Sequence, residues 1–305
     1  MAPFLALVGP TASGKTEVSL QMAEAVGAEI LSVDSMLVYR GMDVGTAKPT
    51  AEQRRRVRHH LLDLVDPSES FNVAAFQSAA HEATADVRGR GVKPLLVGGS
   101  GLYFRAVVDD LEFPGTQPET RYELEEEASA LGAMRMYRRL ADLDPVGASK
   151  IEPGNVRRTV RALEVAAITG KPFSHFAAAW ESYWPDHVRA VGLRVGREAL
   201  VERVELRVRA MIGAGWLDEV QGLVARGFGG WLTATQAIGY AELARHLAGE
   251  LSLEDAVQQT VKRTRTLARR QMAWFRRDPR IRWFQVDVDG PLGVLDEMIA
   301  YLEGA

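Results

Sequence analysis

Residues 4–16 read FLALV-GPTASGKT: an apolar run, Phe4-Leu5-Ala6-Leu7-Val8, then Gly9-Pro10-Thr11-Ala12-Ser13-Gly14-Lys15-Thr16. GxxxxGK[ST] between a strand and a helix is a phosphate cradle. Its glycines let backbone N–H groups converge on phosphate oxygens, and the following helix N-terminus adds a partial positive charge. Lys15 reaches an outer phosphate, and the Thr16 hydroxyl can ligate Mg²⁺. The motif by itself suggests a nucleotide such as ATP but does not specify one.

Working outward, short β-type runs recur at Phe4–Val8, Glu29–Val33, Leu95–Val97, Ala190–Val195 and Ile281–Val286. Helical patterns such as Glu17–Val26 and Ala74–Arg88 lie between them. Such alternation predicts an α/β fold: a P-loop NTPase-like core with a parallel β-sheet flanked by helices. Ligands of such sheets collect at the carboxyl ends of the strands. That places Gly9–Thr16, Asp34-Ser35 and Gly98–Leu102 on one rim. From about Phe113 to Asp186 the β-runs stop. The segment opens with Pro114-Gly115-Thr116-Gln117-Pro118, reads helical over Arg121–Leu131, Ala133–Leu143 and Asn155–Thr169, and closes at Trp184-Pro185. The expected organisation is a core of residues 1–112 and 189–305, with residues 113–188 an inserted all-helical domain lying over the rim.

The 305 residues are 47% hydrophobic and 25% charged, which suits a globular protein rather than a disordered one. No apolar run approaches the ~20 residues of a membrane span, and no secretory signal precedes the first strand, so the expectation is a cytoplasmic protein without a membrane partner. With no cysteine, a disulfide framework, a thiolate zinc site and a catalytic thiol are excluded. The net charge of −3 does not advertise nucleic-acid binding, but a polyanion feels local patches rather than the average.

A P-loop hydrolase carries an Asp at the end of another apolar strand to organise Mg²⁺ and water. Here the strand Pro94-Leu95-Leu96-Val97 runs into Gly98-Gly99-Ser100-Gly101 instead. Those glycines suit close approach of a ligand or another backbone. The carboxylate on the rim is Asp34, after Ile30-Leu31-Ser32-Val33. It is a candidate general base, the alternatives being a cap or an outer-shell Mg²⁺ partner.

Residues 262–282, KRTRTLARRQMAWFRRDPRIR, hold nine Lys/Arg against one acid, Asp278. At ~100° per residue the seven basic residues from Lys262 to Arg277 fall within roughly 160°, while Val261, Ala268, Met272 and Phe275 share another face. A solvated face would mix both signs. A nearly pure Arg face interleaved with Trp274 and Trp283 suits a phosphate backbone and bases. Arg54-Arg55-Arg56-Val57-Arg58-His59-His60 and Arg157-Arg158-Thr159-Val160-Arg161 point the same way. Arg203 and Arg207 lie four apart on one helical face, either paired with Glu202 and Glu205 or with one Arg reaching the cradle.

Together these pieces resemble the tRNA dimethylallyltransferase family, with blocks in the same order from Phe4 to about Arg276. They are GPTASGKT (9–16), VDSMLVYRGMDVGTAKP (33–49), VGGSGLYFRA (97–106), NVRRTVRALEVAAITGKP (155–172), RVELRVRAMIGAGWLDEV (203–220), QAIGYAEL (236–243) and RTLARRQMAWFR (265–276). The resemblance implies transfer of a dimethylallyl group from dimethylallyl diphosphate to N6 of the adenosine immediately 3′ of the anticodon, with release of diphosphate. It implies Asp34 as catalytic base, with Lys15, Thr16, Arg207 and the backbone of Gly9, Pro10, Thr11, Ala12, Ser13 and Gly14 holding the diphosphate, and Mg²⁺ as cofactor through Thr16. It further implies tRNA contacts at Asp34, Ser35, Met36, Leu37, Ser100, Arg121, Arg157, Arg158, Thr159, Val160, Arg161, Gln236, Gly239 and Tyr240. Arg265, Arg269 and Arg270 of the basic helix would track the anticodon stem.

Three positions depart from the family's pattern: Leu37 for its usual Gln, Ser100 for Thr, and Gly154 where Asn is common. The cysteine-bearing tail of some eukaryotic relatives is missing, which points to a bacterial-type enzyme. A monomer without an obligate protein partner is expected, because no long apolar seam is left unassigned. The rival readings are a prenyltransferase for free adenine nucleotides, a small-molecule P-loop kinase and a non-catalytic RNA-binding protein.

Overall fold

The computed structural model describes residues 2–177, 180, 182–286 and 290–304. Its sheet has six strands, β1 (Phe4–Val8), β2 (Ala28–Val33), β3 (His59–His60), β4 (Lys93–Gly98), β5 (Val188–Val195) and β6 (Ile281–Val286), in the order β3-β2-β4-β1-β5-β6. Every pairing is parallel. Five strands fall on the five apolar runs. The sixth, β3, lies inside a cluster otherwise read only as basic, because two histidines on a sheet edge carry no alternation.

Side chains alternate between two cores. Leu5 and Leu7 pack with Ile30, Leu95, Val191, Leu193 and Phe284 on one face, covered by α1 (Lys15–Val26) through Val18 and Met22. Ala6 and Val8 pack with Leu31, Val33, Leu96 and Ala190 on the other. Apolar residues facing both ways are what a sheet covered on both sides requires. The intervening α2 (Ala51–Arg56) is short and surface-lying, and begins with a capping box from Thr50 and Gln53. The second face is covered by α3 (Val73–Gly89) and α4 (Gly101–Val108).

The chain divides into two compact units, residues 1–109 with 184–305, and residues 110–183. The second is all helical: α5 (Pro118–Leu131), α6 (Ala133–Leu143), α7 (Pro145–Ala148), α8 (Val156–Thr169) and α9 (Phe173–Ala177). Its own core gathers Leu124, Met136, Leu140, Ile151, Val160 and Leu163. Asn155 caps α8, accepting from the Arg158 amide at 3.1 Å, so Gly154 beside it leaves the helix start intact. Back in the first unit come α10 (Arg197–Gly213), α11 (Trp216–Ala225), α12 (Tyr240–Leu247), α13 (Leu253–Phe275) and α14 (Leu295–Glu303). No described helix is long and apolar enough to cross a membrane.

Register sets the rim. Val8 and Val33 both align with Gly98, so the chain leaves β1, β2 and β4 at one height, and Gly9, Asp34 and Gly99 emerge side by side. A Cβ on Gly98 would stand 2.0 Å from the Val33 carbonyl oxygen. That glycine serves the close approach of two strands rather than of a ligand.

Candidate active site

Between β1 and α1 the backbone reverses hand, with Ala12 at φ 62° and Gly14 at φ 93°. A left-handed alanine is uncommon, and alternation of hand turns successive amides toward one point. Gly14 precedes α1 without a side-chain cap, so the first amides of the helix stay open to an anion. Lys15 Nζ donates to the carbonyls of Gly9 at 2.9 Å and Pro10 at 2.7 Å. These two residues therefore anchor the lysine rather than facing a phosphate. The buried Ser13 hydroxyl has no partner among the described residues. Thr11 donates its amide to Gln271 Oε1 at 2.8 Å, so it is withdrawn from the set of donors expected for a phosphate.

Residues 11–16 line a cavity of about 260 Å³ together with Asp34, Leu37, Thr46, Ala47, Arg207 and Gln271. A larger cavity of about 930 Å³ is lined by Asp34, Ser35, Met36, Ser100, Gln236, Arg270 and Trp274. Thr11, Asp34, Thr46, Gly99, Arg207 and Gln271 line both, and so mark where the cradle opens into the larger space.

Asp34 accepts from the Met36 amide at 2.8 Å, the contact that the alternative reading of it as a cap calls for. No side chain hydrogen-bonds its carboxylate among the described residues. Desolvation raises its pKa, opposed by the Met36 amide and by the charges of Lys15 and Arg207. Lys15 is lowered to about 7, first by desolvation and then by Arg207, with Asp34 opposing. A carboxyl pushed up beside an amine pushed down is the pattern of a site that moves protons near neutrality. Arg207 rather than Arg203 faces this mouth. Glu205 pairs with Arg209 and Arg265, at 3.4 and 3.3 Å, and Arg207 has no ion pair among the described residues.

Other expected contact residues sort by burial. Ser35, Met36, Ser100, Gln236 and Arg270 line the larger cavity, whereas Leu37 lines the cradle. Thr159 and Val160 are buried in the helical unit, since the inward face of α8 includes them, and they present nothing to an RNA. Arg157 and Arg158 remain exposed. Arg121 and Arg161 pair with Glu164, whose side chain is 0% exposed, at 2.5 and 2.7 Å. Tyr240 is buried, and a Cβ on Gly239 would meet Trp216 at 2.0 Å, so both are packed inside the fold and line neither cavity. On α13, Val261, Ala268 and Phe275 are buried, while Lys262, Arg269 and Arg270, and Arg276 and Arg277 just past its end, are exposed. Arg263 pairs with Glu242. Arg280 leaves the stripe: it is buried against Asp109 and Asp278, at 2.5 and 2.7 Å. Trp283 packs at β6 against Gly192 and beneath Arg194, away from the stripe.

Two positioning residues carry no local signal. Glu219 on α11 accepts from the amides of Asp43 and Val44 at 2.7 Å, of Gly45 at 3.2 Å, and from the Tyr240 hydroxyl at 2.7 Å. Lys48, its side chain 1% exposed, donates to the Tyr39 carbonyl and pairs with Asp43 and Asp63 at 2.7 and 2.6 Å. Together they fix loop 43–49, whose Thr46, Ala47 and Pro49 wall the cradle cavity.

A model of the family described as IPP transferase matches residues 37–278. The chain belongs to the IPP transferase family. It is 47% identical over 304 residues to a tRNA dimethylallyltransferase of Desulforudis audaxviator, covering 99% of this chain and 98% of that one. A second, from Nocardioides sp., is 48% identical over 288 residues, covering 94% and 93%. Among solved structures, a full-length tRNA isopentenylpyrophosphate transferase from Bacillus halodurans superposes with a TM-score of 0.71 at 38% identity, over 99% of this chain and 97% of that one. A eukaryotic dimethylallyltransferase acting on tRNA gives a TM-score of 0.79 at 26% identity, over 97% of this chain and 76% of the other.

Proposed function

We propose that this protein transfers a dimethylallyl group from dimethylallyl diphosphate to N6 of the adenosine immediately 3′ of the anticodon in tRNA. The observation that carries the reading is the shared mouth. A candidate base, Asp34, and a cation, Arg207, meet there, between a cradle that holds Lys15 and a cavity large enough for an extruded base. The C–O bond of the donor breaks, the N6–C bond forms, and Asp34 takes the proton from N6. Negative charge grows on the departing diphosphate, where the open amides of α1, Lys15 and Arg207 stabilise it most. The target base cannot be reached while stacked, so it turns out of its loop into the larger cavity. The exposed arginines Arg269, Arg270, Arg276 and Arg277 offer the flanking stem a cationic track.

The donors present suit Mg²⁺, which takes a few hard oxygens and substrate phosphates rather than an all-protein cage. Thr16 would supply a hydroxyl beside the partnerless Ser13, and the described residues form no cluster of three or more acidic or histidine ligands. When bound, the ion neutralises charge on the diphosphate. No obligate partner protein is invoked, and the enzyme works as a cytoplasmic monomer in this reading.

The test is a transfer assay with labelled dimethylallyl diphosphate and Mg²⁺, offering unmodified tRNA or AMP. The reading requires label on tRNA that is lost when the target adenosine is guanosine. Label on AMP alone would move the enzyme to the free-nucleotide class.

A further inference from the structure

Gln271 sits in the basic helix α13 but is uncharged, and its side chain turns toward the rim instead of outward. Its Oε1 accepts the Thr11 amide at 2.8 Å. Its Nε2 lies against Gly99, where an added Cβ would stand only 2.4 Å from it. The carboxamide therefore fills the gap between the ends of the adjacent strands β1 and β4. In a P-loop hydrolase that neighbourhood holds the metal-binding Asp and the terminal phosphate of a nucleoside triphosphate.

Position along the cradle gives this its meaning. Of residues 11–16, only Thr11 also lines the larger cavity, so it marks the outer end. The inner amides of Ala12, Gly14, Lys15 and Thr16 lie toward α1, while that of Ser13 makes a long bond to the Pro10 carbonyl at 3.4 Å. A ligand seated on them with one phosphate more than a diphosphate extends to the mouth. There it finds the Thr11 donor taken by Gln271, the space beside Gly99 filled, and the Asp34 carboxylate opposing its charge. A donor amide already paired inside the protein contributes nothing to a phosphate without first losing its partner.

We propose that Gln271 makes the cradle selective for a diphosphate, by occupying the backbone donor and the space that a third phosphate needs. The inference rests on the reading of the cradle as the seat of the donor's diphosphate. It adds a reason why a motif shared with triphosphate users admits only two phosphates: the mouth is kept for the reacting carbon.

The experiment is calorimetric titration of the full chain, in Mg²⁺, with inorganic pyrophosphate and separately with tripolyphosphate. Wild type should bind pyrophosphate at least about tenfold tighter, a difference of ~1.4 kcal/mol. Gln271→Ala and the shorter amide Gln271→Asn, which cannot span to Thr11, should each lower that preference by about tenfold, the loss of one charge-assisted donor's worth of discrimination. Gln271→Glu keeps an acceptor on Thr11 and adds a charge, so it should retain the preference. Equal binding of both probes by wild type, or an unchanged preference in Gln271→Ala and Gln271→Asn, overturns the proposal. Failure of wild type to bind either probe overturns the reading of the cradle itself.

Discussion

Residues 11–16 and loop 43–49 wall the same cavity, yet one is shaped by its neighbours in sequence and the other by residues far along the chain. The cradle needs Ala12 and Gly14 in left-handed conformation, a strand before it and a helix after it, and Lys15 folds back on Gly9 and Pro10. Loop 43–49 has no regular structure, and its three leading amides converge on Glu219. Trp216, one turn before Glu219 on α11, stands where a Cβ on Gly45 would fall 2.0 Å from its Nε1. The cradle brings donors to a ligand. The loop spends its donors internally and offers the ligand a wall. A substitution in the first should therefore act on chemistry, and one in the second on donor binding together with stability.

Between these two walls the largest departure should come from Lys15→Ala, which removes a cation facing the leaving diphosphate. Single-turnover transfer should fall by about 10²–10³ with little change in melting temperature. A large loss of melting temperature at unchanged rate would make Lys15 a strut like Lys48. Next is Glu219→Gln, which leaves three amides and a hydroxyl facing a group with fewer acceptor sites. The donor KM should rise by about tenfold and the melting temperature should drop by several degrees. A fall in kcat alone would erase the distinction between wall and cradle.

Proton linkage sharpens the cradle side. Lys15 is lowered to about 7, so in the empty enzyme it is charged below that pH and neutral above it. Diphosphate favours the charged form. Donor affinity should thus weaken by about fivefold from pH 7 to pH 8, with proton uptake on binding. Calorimetry in buffers of different ionisation enthalpy measures that uptake, and its absence would leave Lys15 charged throughout. The smallest effect belongs to Tyr240→Phe, which deletes one of the four donors to Glu219. It should cost about 1 kcal/mol in stability and shift the donor KM by no more than about twofold. A larger shift in KM would place Tyr240 in contact with the ligand.

The same contrast explains what was legible in the sequence. Five strands, the cradle and the rim position of Asp34 follow from period, glycine spacing and strand-end rules, all local signals. Arg207 was separable from Arg203 only by resemblance, and the structure adds the reason: Arg207 lines both cavities and Arg203 neither. Thr159, Val160, Gly239 and Tyr240 sit within family-like blocks, yet their burial depends on which helix face meets a neighbour. Gln271 bonds a residue 260 positions away, and Glu219 reaches residues 174–176 positions away. No window of sequence contains both partners, so such contacts leave no periodic trace. Edge strand β3 was missed for the opposite reason: two residues are too few to carry a period.

The central claim is that Asp34, standing at the mouth shared by both cavities, takes the proton from the nucleophile. Asp34→Asn keeps the shape and an oxygen for the Met36 amide while removing the base. With tRNA prebound and the donor saturating, single-turnover transfer should fall by about 10²–10⁴ while tRNA affinity stays within about twofold of wild type. Loss of tRNA affinity as large as the loss of rate would contradict the account and leave Asp34 as the cap of its own turn.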